Sequence, residues 1–94
     1  MRLKNFSLVF GVQLFKALSE EPRVRILNLM FMKGEMCITD LEIILEFTQA
    51  KTSRHLSYLK NSGIVNARKA DQWVFYSIKE EVMDLVKLIM EYFN

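Results

Sequence analysis

Between Thr48 and Gly63 the chain reads TQAKTSRHLSYLKNSG, and its polar side chains are of the kinds that meet nucleic acid. Lysine and arginine neutralise phosphate, arginine can bond O6 and N7 of guanine together, and glutamine can bond N6 and N7 of adenine. Helical spacing sorts the segment, with Thr52, Leu56 and Leu59 on one side and Lys51, Arg54, Ser57, Tyr58 and Asn61 on the other. Arg54 is the first choice for a base contact, and Gln49 either reads adenine or caps the helix. Lys51, Thr52, Ser53, His55 and Tyr58 complete the groove candidates, the N-terminal part lying deepest. Lys60, with Arg68 and Lys69 further on, suits phosphate, which fixes position and carries no sequence information. A solvated helix face has a similar composition, so the segment alone leaves both readings open.

Other chemistry has little material. The chain has one cysteine, Cys37, and one histidine, His55. It has no Gly-rich phosphate loop, and its acidic residues are scattered along helices with no catalytic pair, so neither an enzyme nor a cofactor is expected. His55 suits hydrogen bonding or packing better than metal ligation. Cys37 is a candidate thiol sensor only if its thiolate is stabilised by the helix that follows it; the alternative is a buried, inert thiol. With no second cysteine, oxidation would stop at a sulfenic acid, use a small thiol, or bridge two protomers.

The elements that position these residues follow from caps and periodicity. Thr48 is a suitable N-cap and Gly63 a C-terminal stop with positive φ, which gives a reading helix over 49–62. Before it, Thr39 caps a short helix Asp40–Glu46, and a connection of two or three residues gives helix-turn-helix spacing. After it the period changes, and 64–78 reads as a hairpin: an extended segment from Ile64 through Lys69, a tight connection Ala70-Asp71-Gln72, and a strand Trp73–Ile78. Trp73 and Tyr76 fit hairpin packing better than base stacking. Upstream, Ser19-Glu20-Glu21-Pro22 breaks one helix and starts another whose core side is Val24, Leu27, Met30 and Phe31, with Arg25 and Asn28 facing away.

The terminal helices carry too much apolar surface. Phe6–Leu18 has Phe6, Phe10, Leu14 and Ala17 on one side and Leu8, Val12 and Phe15 on the other, while in 79–93 only a narrow polar stripe interrupts the apolar positions. A small domain cannot cover both helices, so segments 5–18 and 79–93 are expected to pair with a second copy, through Phe6, Phe10, Val82, Leu85, Val86, Ile89 and Phe93. Packing only within the chain is the alternative.

Composition agrees. The 94 residues suit one domain, 1–94, and 51% of them are hydrophobic, rich for so small a core. Net charge is only +2, yet from Thr48 to Gln72 five cations, Lys51, Arg54, Lys60, Arg68 and Lys69, face one anion, Asp71. Elsewhere eight cations face ten acidic residues, so the positive charge is concentrated where a nucleic-acid surface needs it. No apolar run reaches the roughly 20 residues that span a bilayer. A cytoplasmic protein without membrane attachment is expected.

The segments LFKALSEEPRVRILNLM, EMCITDL, TQAKTSRHLSYLKNSGIV and RKADQWVFYSI resemble the successive signatures of the ArsR/SmtB family of bacterial transcriptional repressors, over about Leu14 to Ile78. The resemblance implies a mainly α fold with a small β-hairpin, the winged helix-turn-helix, its wing two-stranded. It also implies a homodimer built from the first and last helices, double-stranded DNA as partner, and recognition helices in successive major grooves of a palindromic operator. An inducer would release the DNA. The family's metal sites are incomplete: Cys37 matches the first cysteine of a Cys-x-Cys pair but Thr39 takes the place of the second, and the last helix has no histidine. No metal is expected, and the inducer, small molecule or redox, is left open. The wing also lacks the family's usual tip glycine and carries Asp71, which argues against deep minor-groove insertion. A winged helix that only docks on other proteins is the alternative.

Overall fold

The computed structural model describes residues 7–93, so Phe6 of the expected dimer surface lies outside them. Its elements run α1 Leu8–Leu18, α2 Glu21–Lys33, β1 Met36–Cys37, α3 Ile38–Leu45, α4 Gln49–Asn61, β2 Val65–Ala70, β3 Trp73–Ile78 and α5 Glu80–Met90. This is the arrangement of a winged helix-turn-helix. The sheet has three antiparallel strands in the order β1-β3-β2, with Met36 opposite Tyr76 and Cys37 opposite Phe75. β2 and β3 form the expected two-stranded wing, and the other edge of β3 is taken by β1, a two-residue strand too short to show a period of its own.

Local chemistry accounts for most boundaries. The Ser7 hydroxyl accepts from the Phe10 amide and caps α1, and Pro22 sits in the first turn of α2, where a missing N–H costs nothing. α3 begins earlier than the Thr39 cap implies: Cys37 is its N-cap residue, because the chain leaves β1 directly into the helix. Its other end is abrupt. Glu46 takes a left-handed φ of 57°, a conformation that costs about 1–2 kcal/mol for a residue with a side chain, and the chain turns into α4 within three residues.

The core gathers Leu14 and Ala17 of α1, Ile26, Leu27 and Met30 of α2, Leu41 of α3, Leu56 and Leu59 of α4, Ile64, Val65 and Ile78, and Val82, Val86 and Met90 of α5. On α2 the buried stripe is rotated from the expected one. Arg23 and Ile26 lie in it, while Val24 and Phe31 are only half-buried. On α1 the division is as expected, with Leu14 and Ala17 inside and Leu8, Val12 and Phe15 exposed.

α5 requires a correction. Val82 and Val86 are 2% and 1% exposed within one chain, so they belong to its own core and cannot form a dimer surface. They recur with Met90 at intervals of four, the inward stripe of an amphipathic helix. Leu85, Ile89 and Phe10 are half-buried, and Phe10 packs over Gly63, where an added Cβ would stand 3.7 Å from its ring. Of the expected surface Phe93 is exposed, and it is joined by Leu88 and Tyr92. Among the described residues no helix is long and apolar enough to cross a membrane.

Candidate nucleic-acid interface

α4 is held at both ends by its own sequence. The Thr48 hydroxyl accepts from the Lys51 amide at 3.1 Å, satisfying an orphan donor of the first turn. At the far end Gly63 has φ 79°, its amide bonds the Lys60 carbonyl at 3.1 Å, and the Ile64 amide reaches the Leu59 carbonyl at 3.0 Å. This is a Schellman termination, closed by the buried pair Leu59 and Ile64. The helix is therefore fixed in length and rotation before any ligand arrives.

That rotation decides which side chains face outward. Gln49, Arg54, Ser57, Tyr58 and Lys60 are exposed, and Lys51 and Ser53 are half-exposed. The Lys51 ammonium lies 4.1 Å above the Phe47 ring, which holds its stem down while leaving the charge at the helix N-terminus. Two of the groove candidates are corrected. Thr52 is fully buried and its hydroxyl donates to the Thr48 carbonyl at 2.8 Å. His55 is 2% exposed, with its ring between two guanidinium groups. Both stand on the stripe of Leu56 and Leu59, so neither reaches a groove.

The ring of His55 is held below its ordinary pKa of 6.5, first by burial, then by the positive charges of Arg54 and Arg23, with Lys51 adding to them and Glu20 opposing. Each of these lowering effects favours the neutral ring over the charged one. Its inner neighbour Arg23, 4% exposed, donates from Nε to the Ala17 carbonyl at 2.8 Å and from Nη2 to the Lys16 carbonyl at 3.0 Å. These are carbonyls of the last turn of α1, the end where a cation is favoured. The same guanidinium lies 3.9 Å from the centre of the Tyr58 ring and 3.4 Å from a Glu20 carboxylate oxygen. α1 and α4 are thus joined through one arginine.

In the wing, β2 and β3 pair from Val65 opposite Ile78 to Ala70 opposite Trp73, and the two-residue turn has Asp71 at φ 56° where a glycine would be relaxed. Lys69 and Arg68 are exposed on β2. Arg68 is not a bare cation. It donates to both oxygens of Glu35, at 2.7 and 3.1 Å, and lies 4.9 Å from the Phe75 ring centre. The Arg68 hydrogen bond, foremost, holds the Glu35 carboxyl below its ordinary value, and Glu35 raises Arg68 in return.

Cys37 is buried, and with Thr39, Asp40, Trp73 and Phe75 it lines a pocket of about 280 Å³ between the start of α3 and the hairpin. Among the described residues no three His, Cys, Asp or Glu side chains come together as a metal site.

Residues 20–67, from the end of the first helix to the start of the wing, match the model of the bacterial regulatory proteins of the arsR family. The chain belongs to the ArsR family. ArsR-family relatives include the arsenical resistance operon repressor of Escherichia coli, 40% identical over 76 residues, which make up 81% of this chain and 65% of that protein. HlyU from Vibrio cholerae superposes with a TM-score of 0.81 at 34% identity, covering 88% of this chain and 90% of that one. The homodimeric winged helix-turn-helix DNA-binding domain of Mb0332 from Mycobacterium bovis gives 0.82 at 28% identity, covering 90% and 79%. The chain spans 57% to 65% of the length of three arsenic- and cadmium-resistance regulators that it matches. The ArsR family is one of regulators, and no enzyme is implied.

Arg23 and Glu35 escaped sequence reasoning in different ways. Arg23 lies three residues before Ile26 and seven before Met30, so its place on the buried stripe was written in the spacing. Glu35 meets Arg68 across 33 positions, and nothing local in the sequence marks that pairing.

Proposed function

We propose that this ArsR-family chain is a sequence-specific, DNA-binding transcriptional regulator acting in the cytoplasm. Two copies set their α4 helices in successive major grooves of a palindromic operator, about 34 Å apart. Arg54 supplies the principal base contact, with Gln49 and Ser53 beside it. Lys51, Lys60 and Lys69 meet phosphates. The observation that carries this reading is the rotation of α4: Thr52, His55, Leu56 and Leu59 are buried, which leaves Arg54 exposed on the outward face. The dimer rests on α1, whose Leu8, Val9, Val12 and Phe15 are 85%, 69%, 46% and 73% exposed, an apolar face that water does not favour. Repression is the direction proposed, since an occupied operator excludes other proteins from it and the E. coli relative is named a repressor.

The experiment is selection of genomic DNA fragments by the purified protein, repeated with reduced and oxidised thiol and with added metal ions. Enrichment of one palindromic motif is expected, with binding that weakens as salt rises. Release on oxidation or by one metal would identify the inducer class, whereas unchanged binding in all arms leaves an organic ligand or none. A protein that retains no DNA at low salt is an interaction module and this reading fails.

A further inference from the structure

Two guanidinium groups address the single imidazole of the chain from opposite sides. Arg23 Nη1 stands 3.4 Å from His55 Nδ1, and Arg54 Nη2 stands 3.4 Å from His55 Nε2. An arginine nitrogen only donates, and a neutral imidazole has one acceptor nitrogen, the other carrying its proton. The ring can therefore accept from Arg23 or from Arg54, never from both. The two competitors are unequal: the Arg23 head is buried and fixed by the Ala17 and Lys16 carbonyls and the Tyr58 ring, while Arg54 is exposed.

We propose that Arg23 and His55 are positioning residues for the recognition helix: Arg23 holds His55 as the Nε2–H tautomer, and this denies Arg54 an acceptor on its own helix and leaves its fork available to a base. With Nδ1 accepting from Arg23, the Nε2 proton faces the Arg54 donor and no hydrogen bond forms there. Without Arg23, the tautomer protonated at Nδ1 is admitted. Nε2 then accepts from Arg54 and holds the guanidinium against α4. Because Arg23 is anchored on the last turn of α1, a shift of that helix would change the tautomer and with it the reach of Arg54. The inference rests on the proposed DNA-binding reading for its consequence, but the tautomer itself does not.

The test uses the whole chain. His55 is the only histidine, so nitrogen-15 NMR of the labelled protein gives one pair of ring signals without assignment by mutation. A pyrrole-type Nε2 and a pyridine-type Nδ1 are expected near pH 7, with the Nδ1–H form growing in Arg23→Met. A ring protonated at Nδ1, or a tautomer ratio that Arg23→Met leaves unchanged, overturns the proposal. The second arm is a double-mutant cycle on the ratio of operator to random-DNA affinity. Arg23→Met is expected to lower that ratio at least about fivefold, the lower range for one lost bidentate base contact, and to have no further effect in an Arg54→Ala background. Additive losses would mean that Arg23 acts on the fold and not through Arg54. An Nε2–H ring in a protein that selects no DNA sequence would sink the DNA-binding function and leave the Arg23–His55 lock standing.

Discussion

The Glu35 carboxylate grips the Arg68 guanidinium through two hydrogen bonds, at 2.7 and 3.1 Å. Of the two neighbouring wing cations, one is thus already paired and the other, Lys69, is exposed. A phosphate approaching Arg68 must share it with, or displace it from, a carboxylate that already holds it by two hydrogen bonds.

The pairing predicts an unequal wing. Lys69→Ala should weaken binding to all sequences and lower the slope of log affinity against log salt by about one, and Arg68→Ala should do less. Glu35→Gln should strengthen binding and make Arg68→Ala as costly as Lys69→Ala. Anisotropy titrations at several salt concentrations measure each slope, and equal effects of the two cation replacements in the unaltered background would contradict the assignment.

A pH dependence of stability follows from His55. Its folded pKa lies below 6.5, so below that pH the unfolded chain takes up a proton that the folded chain refuses. The stability linked to this residue is whole above the ordinary value and is lost as pH falls from there toward the lower folded value. Denaturant titrations between about pH 7 and about pH 5 should show a loss of at most about 1.4 kcal/mol per pH unit, absent in His55→Gln. Burial sets the shift first, and the charged groups that act on the ring are Arg54, Arg23 and Lys51, which lower it, and Glu20, which raises it.

The two apolar faces of the terminal helices should separate cleanly by mutation. Phe15→Glu places a charge on an exposed face, so the chain should stay folded by circular dichroism and sediment as a monomer. Val86→Glu buries an unpaired carboxylate in the core and should prevent folding. A Phe15→Glu protein that still sediments as a dimer would place the interface elsewhere.

Core truncation gives a scale for these effects. Leu56, fully buried beneath the reading face, should cost about 2–5 kcal/mol when replaced by Ala, measured by denaturant unfolding. Loss of DNA binding in that variant would report on the fold, whereas loss in Arg54→Ala would report on contact.

The sequence made the helix-turn-helix legible because its signals are local. Thr48 and Gly63 bound α4 by side-chain and φ requirements that act within a few residues, and the change from helical to alternating period marks the hairpin. Residues joined across the chain were not legible. β1 has only Met36 and Cys37, and what makes them a strand is Tyr76 and Phe75 on the facing strand. The same holds for Glu35 with Arg68. Thr52 and His55 are a different case: their spacing to Leu56 and Leu59 put them on the buried stripe, and polarity alone had assigned them to the groove. A buried polar side chain is betrayed by its position, since its partner, here the Thr48 carbonyl or Arg23, lies elsewhere. Val82 and Val86 carry the matching lesson, for a wide apolar helix does not say which of its sides meets its own domain.

The central claim is that α4 reads sequence through Arg54. Its most direct test is selection from a random DNA pool by the unaltered protein and by Arg54→Ala, each at one fixed salt concentration. The prediction is a palindromic motif with half-sites one helical turn apart for the unaltered protein, and for Arg54→Ala the loss of about 1–3 kcal/mol of discrimination at one base pair of each half-site. An identical motif with identical discrimination from both proteins would contradict it.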